Sequence, residues 1–156
     1  MADPIPEGFP PLCVSLAVED AAHAIDWYTK AFGAKERMRM PASEGKIGHA
    51  EIEIGDAVVM LADQFEQSSS KPPKELGGTS VSMFLYVEDV DAFAQRAIDA
   101  GATVVMPVDD MFWGDRYGIL SDPFGHQWQV ATHVEDVPPD QMEERGREAM
   151  AAMGGS

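Results

Sequence analysis

The stretch LAVEDAAHAIDWYTKAFG, residues 16–33, decides the fold, because its opening returns later in the chain. It reads as the end of a strand followed by a helix. Asp20 stands where an N-cap belongs, worth about 1 kcal/mol when its carboxylate accepts from a first-turn amide. Ala21, Ala24, Ile25, Tyr28 and Phe32 recur at helical spacing, and Gly33 fits the left-handed position past the helix end. Val18-Glu19-Asp20 then recurs as Val87-Glu88-Asp89, an offset of 69 residues. The same offset carries Cys13 onto Ser82 and Val59-Met60-Leu61 onto Trp128-Gln129-Val130. A one-residue slip separates the helix ends, Gly33 against Gly101. One offset aligning distant parts of a chain marks an internal duplication.

The flanking segments fill in the repeated unit. LCVSLAV (12–18) and KERMRM (35–40) read as strands, and GHAEIEIGD (48–56) with AVVMLAD (57–63) as a hairpin through Gly55-Asp56. The second half follows with VSMFLYV (81–87), then a helix over 89–101 whose inner face is Val90, Phe93, Ala94, Ala97 and Ile98. TVVMPV (103–108) is a strand, and a loop over 109–116 carries Phe112 and Trp113. RYGILSD (116–122) and HQWQVAT (126–132) close a hairpin through Asp-Pro-Phe-Gly. The expected fold class is α+β: two βαβββ modules forming a curved mixed sheet, in a dimer. The chain divides into an extended N-terminal arm (1–10), a first module (11–63), a polar linker (64–79), a second module (80–135) and a C-terminal helix and tail (136–156). Met142, Met150 and Met153 would give that helix an apolar stripe, weakened by Gly146.

Composition limits the partners. With 156 residues and 45% hydrophobic content, the chain can bury a core as one domain or two small joined halves. A formal net charge of −16 repels nucleic acid and anionic membranes and attracts cations. Cys13 is the sole cysteine, so neither an internal disulfide nor a paired-cysteine zinc motif forms. No basic n-region, signal-like core or membrane-length apolar run is present, and a cytoplasmic protein is expected.

LAVEDAAHAIDWYTKAFGA, GKIGHAEIEIGDAVVMLAD, LYVEDVDAF and FWGDRYGILSDPFGHQW together resemble the vicinal oxygen chelate superfamily. That superfamily includes glyoxalase I, extradiol dioxygenases, fosfomycin-resistance enzymes and bleomycin-resistance proteins. The likeness covers roughly residues 11–135 and is nearest to glyoxalase/bleomycin-resistance-like proteins. It implies that each module builds half of a curved sheet whose concave faces form a ligand cup, often completed across a homodimer. It also implies where metal ligands would sit: seven residues before the Asp opening each helix, and on the last strand of each module. Those positions hold Cys13, Ser82, Met60 and Gln129. A catalytic divalent ion needs about three His, Glu or Asp donors, and this set contains none. No metal, cofactor or catalytic residue is therefore assigned.

Alternation assigns the faces independently. Leu12, Val14, Leu16 and Val18 should pack on the helices, leaving Cys13, Ser15 and Ala17 concave. The offset predicts the same for Ser82, Phe84 and Tyr86. His49, Glu51 and Glu53 should be concave on one strand, Val58, Met60 and Ala62 on the next, and Gln127 and Gln129 on the last. Phe84, Tyr86, Phe112 and Trp113 could stack on a flat ligand. Arg116 could bind a ligand carboxylate or pair with a neighbouring acid. The expected ligand-binding set is thus Cys13, His49, Glu51, Met60, Ser82, Phe84, Tyr86, Trp113, Arg116, Gln127 and Gln129. The leading expectation is metal-independent binding of a small cationic or aromatic compound such as an antibiotic. The alternative is a metal-dependent lyase, dioxygenase or epimerase with a non-standard site near His49 and Glu51. A third reading is an interaction protein whose cup is filled by its own side chains.

Overall fold

In the computed structural model, which describes residues 1–154, β1 (Val14–Val18) leads into α1 (Ala21–Phe32), β2 (Lys35–Pro41), β3 (Ile47–Ile54) and β4 (Ala57–Asp63). A short helix α2 (Pro73–Leu76) follows, within the segment expected to be plain linker. The second module is β5 (Ser82–Tyr86), α3 (Val90–Asp99), β6 (Thr103–Asp110), β7 (Asp115–Ser121) and β8 (Gln127–His133), followed by α4 (Pro139–Gly154). Each module is a four-stranded mixed sheet, ordered β1-β4-β3-β2 and β5-β8-β7-β6. The duplication holds in strand register: Val14 pairs with Val59, and Met83 with Trp128, both in parallel ladders.

The helices begin where their caps dictate. Asp20 accepts from the His23 amide and Asp89 from the Ala92 amide, each at 3.1 Å. They pack on each other through twin residues. Trp27 donates through Nε1 to Ala100 O at 2.8 Å, and Arg96, its twin, donates through Nε to Lys30 O at 2.7 Å. Each helix thereby satisfies a carbonyl at the other's C-terminal end, which an isolated helix leaves unpaired. Phe32 stacks on Phe93 with ring centroids 5.0 Å apart and meets Trp128 edge-on at 4.9 Å.

One hydrophobic cluster joins both modules, with Leu16, Val18, Ile52 and Leu61 of the first sheet and Leu120, Trp128 and Val130 of the second. Burying one such side chain contributes about 1.5–3 kcal/mol. A buried carboxylate clasps the join. Asp122 accepts from the phenol of Tyr28, from Trp128 Nε1 at 2.9 Å, and from the Phe124 and His126 amides at 2.9 and 3.0 Å. Burial first, and Asp122 second, push the Tyr28 phenol well above its ordinary pKa.

This packing fixes where the functional faces point. The helix-side faces of both sheets share the one core, so the opposite faces look outward, away from it and from each other. Among the described residues no strand pairing joins the two sheets, and one chain alone does not enclose a cup.

Several packing expectations change. Leu12, ahead of β1, is 86% exposed, and Ile98 lies at the solvent edge of α3. Val58 is buried rather than open. Met150 and Met153 are exposed, and the half-buried positions of α4 are Met142, Arg145, Gly146 and Ala149. Gly146 is a point of close approach, since a Cβ there would lie 3.2 Å from the Phe112 ring. Among the described residues no helix is long and apolar enough to cross a membrane.

Candidate functional site

The outward face of the second module is an aromatic platform. Strand alternation brings Ser82, Phe84 and Tyr86 of β5 beside Gln127, Gln129 and His133 of β8 and Asp115 and Tyr117 of β7. Phe84 and Tyr86, at ring distance 5.0 Å, are 45% and 60% exposed. Phe84 stacks on Tyr117 at 5.7 Å, Tyr117 meets Trp113 edge-on at 5.3 Å, and Trp113 meets Phe112 at 5.1 Å. Flat surface of this kind, left in contact with water, is unusual unless something covers it.

A polar chain crosses the platform. Tyr117 donates its phenol proton to Gln129 Oε1 at 2.6 Å, and Gln129 Nε2 donates to Ser82 Oγ at 2.7 Å. The Gln129 amide is thus oriented by its neighbours, and Ser82 keeps its own hydroxyl proton to donate. Burial raises the Tyr117 pKa, so the phenol stays a donor at neutral pH.

At one end sits a braced carboxylate. Asp115 is buried and accepts from His133 Nδ1 at 2.8 Å, Tyr86 OH at 2.8 Å and Trp113 Nε1 at 3.0 Å. Burial alone would raise its pKa; the donors, His133 foremost, outweigh that and hold it below the ordinary carboxylate value. His133 also contacts Asp136 through Nε2 at 2.7 Å. Asp136 and then Asp115 push the imidazole pKa up. Donation to Asp115 likewise raises the Tyr86 phenol. The loop bearing Trp113 closes at Gly114, where φ is 102° and a Cβ would fall 2.1 Å from Glu135 O. Only glycine allows that approach.

The outward face of the first module is closed by charge. A bulge in β2 falls between the pairings of Glu36 and Met38 and leaves Arg37 as the extra residue. Its guanidinium reaches Glu53 at 3.0 Å and Glu51 at 3.5 Å, donates to Gly8 O at 3.3 Å, and lies 4.6 Å from the Phe9 ring centroid. The N-terminal arm is thereby folded onto this face. His49 Nε2 meets the other Glu51 oxygen at 3.1 Å. Met60 lies in register with Ser15 and Glu51. Ser15, Ala17 and Ala62 line a cavity of about 360 Å³ with linker residues 67–70. Cys13, just before β1, donates its thiol to Pro10 O at 3.5 Å.

Arg116 does not belong to either face. Its neighbours Asp115 and Tyr117 point outward, so it points toward the helix, where Nε and one terminal nitrogen grip Asp91 of α3 at 2.6 and 2.8 Å. Asp110 takes another nitrogen at 3.3 Å. These acids raise its pKa further, and the guanidinium ties α3 to β7 and β6, which is the acid pairing that the sequence offered as the alternative to a ligand contact. Sequence reasoning missed Tyr117, Asp115 and His133, although strand parity from buried Leu120 and Trp128 was enough to find them. Arg37 carried no such signal, because a bulge resets the parity.

The donors do not fit a catalytic metal. Cys13 and Met60 belong to one module, Ser82 and Gln129 to the other, and both amide atoms of Gln129 are already engaged. Glu51 has His49 on one oxygen and Arg37 on the other. Among the described residues no group of three or more His, Cys, Asp or Glu side chains is placed to hold an ion.

Comparison with known proteins gives consistent likenesses. The sequence pattern of the Glyoxalase/Bleomycin resistance protein/Dioxygenase superfamily matches residues 12–130. An uncharacterised protein of Mycobacterium bovis is 48% identical over 137 residues, covering 86% of this chain and 90% of its own length. A putative glyoxylase of the same species, CFP32, is 28% identical over 130 residues, and the match spans 47% of that longer protein. Among solved structures, TioX from Micromonospora sp. ML1 shares 30% identity with a TM-score of 0.63, over 83% of this chain and 100% of that one. A gene product of Arabidopsis thaliana shares 26% with a TM-score of 0.64, over 79% and 98%.

Proposed function

Since the chain belongs to the glyoxalase/bleomycin resistance protein/dioxygenase superfamily, we propose that it is a metal-independent, cytoplasmic binding protein for a flat aromatic, cationic small molecule such as an antibiotic, working as a homodimer. The observation that carries this reading is the solvent-open platform of Phe84, Tyr86 and Tyr117, crossed by the Ser82–Gln129–Tyr117 chain. Ring stacking contributes about 0.5–1.5 kcal/mol per pair beyond area burial. The oriented amide and hydroxyl then select the edge of the ligand without imposing a charge. The two outward faces support the dimer reading: the first module of one copy set against the second module of the other would enclose a cup. One wall would be aromatic, and the other would carry His49, Glu51 and Glu53, the two carboxylates already paired with Arg37. The acidic surface, net −16, favours a cation over an anion.

Against the alternative of a metal-dependent lyase, dioxygenase or epimerase stands the donor set, which lacks an imidazole or carboxylate at the usual positions and has only two donors near His49. Thermal shift with a panel of planar aromatic cations tests the proposal, because a ligand that prefers the folded state raises the melting point. A rise for members of the panel, reduced in Phe84→Ala and kept in Arg116→Gln, is expected. A panel without effect, or unchanged shifts in Phe84→Ala, would contradict it.

A further inference from the structure

The duplication gives a template for a groove outside both outward faces. Over the N-terminal half of α1, the β7–β8 turn of the second module is inserted. Phe124 is buried there, with ring centroids 5.4 Å from His23, 5.9 Å from Tyr28 and 6.3 Å from Trp27. His126 donates through Nε2 to Ala17 O at 2.9 Å. The corresponding place over α3 is an open groove of about 950 Å³, lined by Tyr86, Glu88, Asp89, Ala92, Phe93 and Arg96 with Gly55 at its edge. Moved back by 69 positions, those six residues are Ala17, Glu19, Asp20, His23, Ala24 and Trp27, of which Ala17 meets His126 and His23 and Trp27 meet Phe124. The same shift takes Phe124 itself onto Gly55. At Gly55 the β3–β4 turn therefore presents no side chain where its twin presents the buried Phe124 ring. Of two equivalent grooves, the chain fills one with its own aromatic turn and leaves the other open.

We infer that the open groove docks a turn of a partner polypeptide that presents an aromatic side chain followed by a hydrogen-bond donor. The ring enters as Phe124 does in the twin. It lies over Ala92, which is smaller than His23 and leaves room, and beside the Arg96 guanidinium, which stands in place of Trp27 and offers a flat cationic surface to a ring. The donor meets the carbonyl of Tyr86, the twin of Ala17 O. Glu88 and Asp89 are exposed at the mouth, so a basic residue beside the aromatic one matches the local charge. The groove shares only Tyr86 and His133 with the aromatic platform, and the inference does not depend on what the platform binds.

The probe is a synthetic peptide of the chain's own turn, SDPFGHQ, titrated into the isotope-labelled full chain and followed by amide chemical shifts. Saturable shifts at Gly55, Glu88, Ala92 and Arg96 are expected. They should weaken by roughly tenfold when the peptide's Phe is replaced by Ala, as loss of a stacked and buried ring implies. The variant Ala92→Trp, on the exposed side of α3, should fill the groove and abolish the shifts while its own spectrum stays dispersed. The inference is overturned if the two peptides act alike, if nothing moves, or if phenethylamine alone saturates the same amides as tightly as the peptide. It is also overturned by shifts at His23 and Trp27, which would mean displacement of the chain's own turn. Shifts confined to Phe84 and Tyr117 would overturn it and leave the proposed ligand cup standing, whereas loss of the aromatic cations with retained peptide binding would do the reverse.

Discussion

The two modules share a backbone plan and differ in what they turn outward. Toward the core, twin positions stay apolar: Val14 and Met83, Leu16 and Leu85, Val18 and Val87, Val59 and Trp128, Leu61 and Val130. Outward, the same strands diverge. Ser15 becomes Phe84, Ala17 becomes Tyr86, and Met60 becomes Gln129. The first face ends in an ion-paired, arm-covered surface around Arg37, the second in an open aromatic platform. Burial constrains one side of a half-buried strand and leaves the other free to acquire chemistry. Along the paired strands the outward side changed character and the core side stayed apolar.

The largest test of this contrast is at the hairpin turns. Asp122→Ala leaves the Tyr28 phenol, the Trp128 indole and two amides without their acceptor in the core. Stability measured by urea unfolding should fall by about 3 kcal/mol or more. Asp56→Ala, on the exposed turn of the first module, should change it by less than about 0.5 kcal/mol. Equal losses would break the claim that one turn is a clasp and the other is not.

Next come the outward faces. Phe84→Ala should weaken binding of a flat ligand by roughly tenfold, the size of one lost aromatic contact, with Ser15→Ala close to wild type in the same titration. If the Ser15 variant suffers more, the roles of the two faces are reversed. A smaller effect is expected at Arg37→Met. Its half-exposed ion pairs contribute about 0–1 kcal/mol, but limited proteolysis should cut the arm at residues 1–10 faster, because Gly8 and Phe9 lose their anchor.

The smallest effect is a pH dependence confined to the second module. The His133 pKa is raised by Asp136 and Asp115, so the bridge to the tail is fully present below the ordinary histidine value of about 6.5. It is lost as pH rises through the raised value. Amide exchange at residues 134–136 should quicken over that range, and His133→Gln should remove the step. A step that survives this substitution would assign it to another group.

The duplicated modules, the capped helices and the assignment of Phe84, Tyr86, Ser82 and Gln129 to one face were legible in the sequence, because alternation and a fixed offset are local patterns. The back-to-back packing was not. Nothing local states that Trp27 caps α3 while Arg96 caps α1, or that Asp122 reaches Tyr28 across the join. For Arg116 the sequence offered a ligand contact or an acid partner; the structure shows the acid pairing, with Asp91 and Asp110, a choice that needs both its strand parity and the position of α3. Arg37 was invisible because the bulge that aims it depends on strand pairing.

The most direct test of the central claim is a calorimetric titration of metal-stripped protein with a planar aromatic cation, repeated after adding a divalent transition-metal ion. One ligand per chain, with the same affinity and no product formed in either condition, is the predicted result. Binding or turnover that arises only with the added metal would contradict the account.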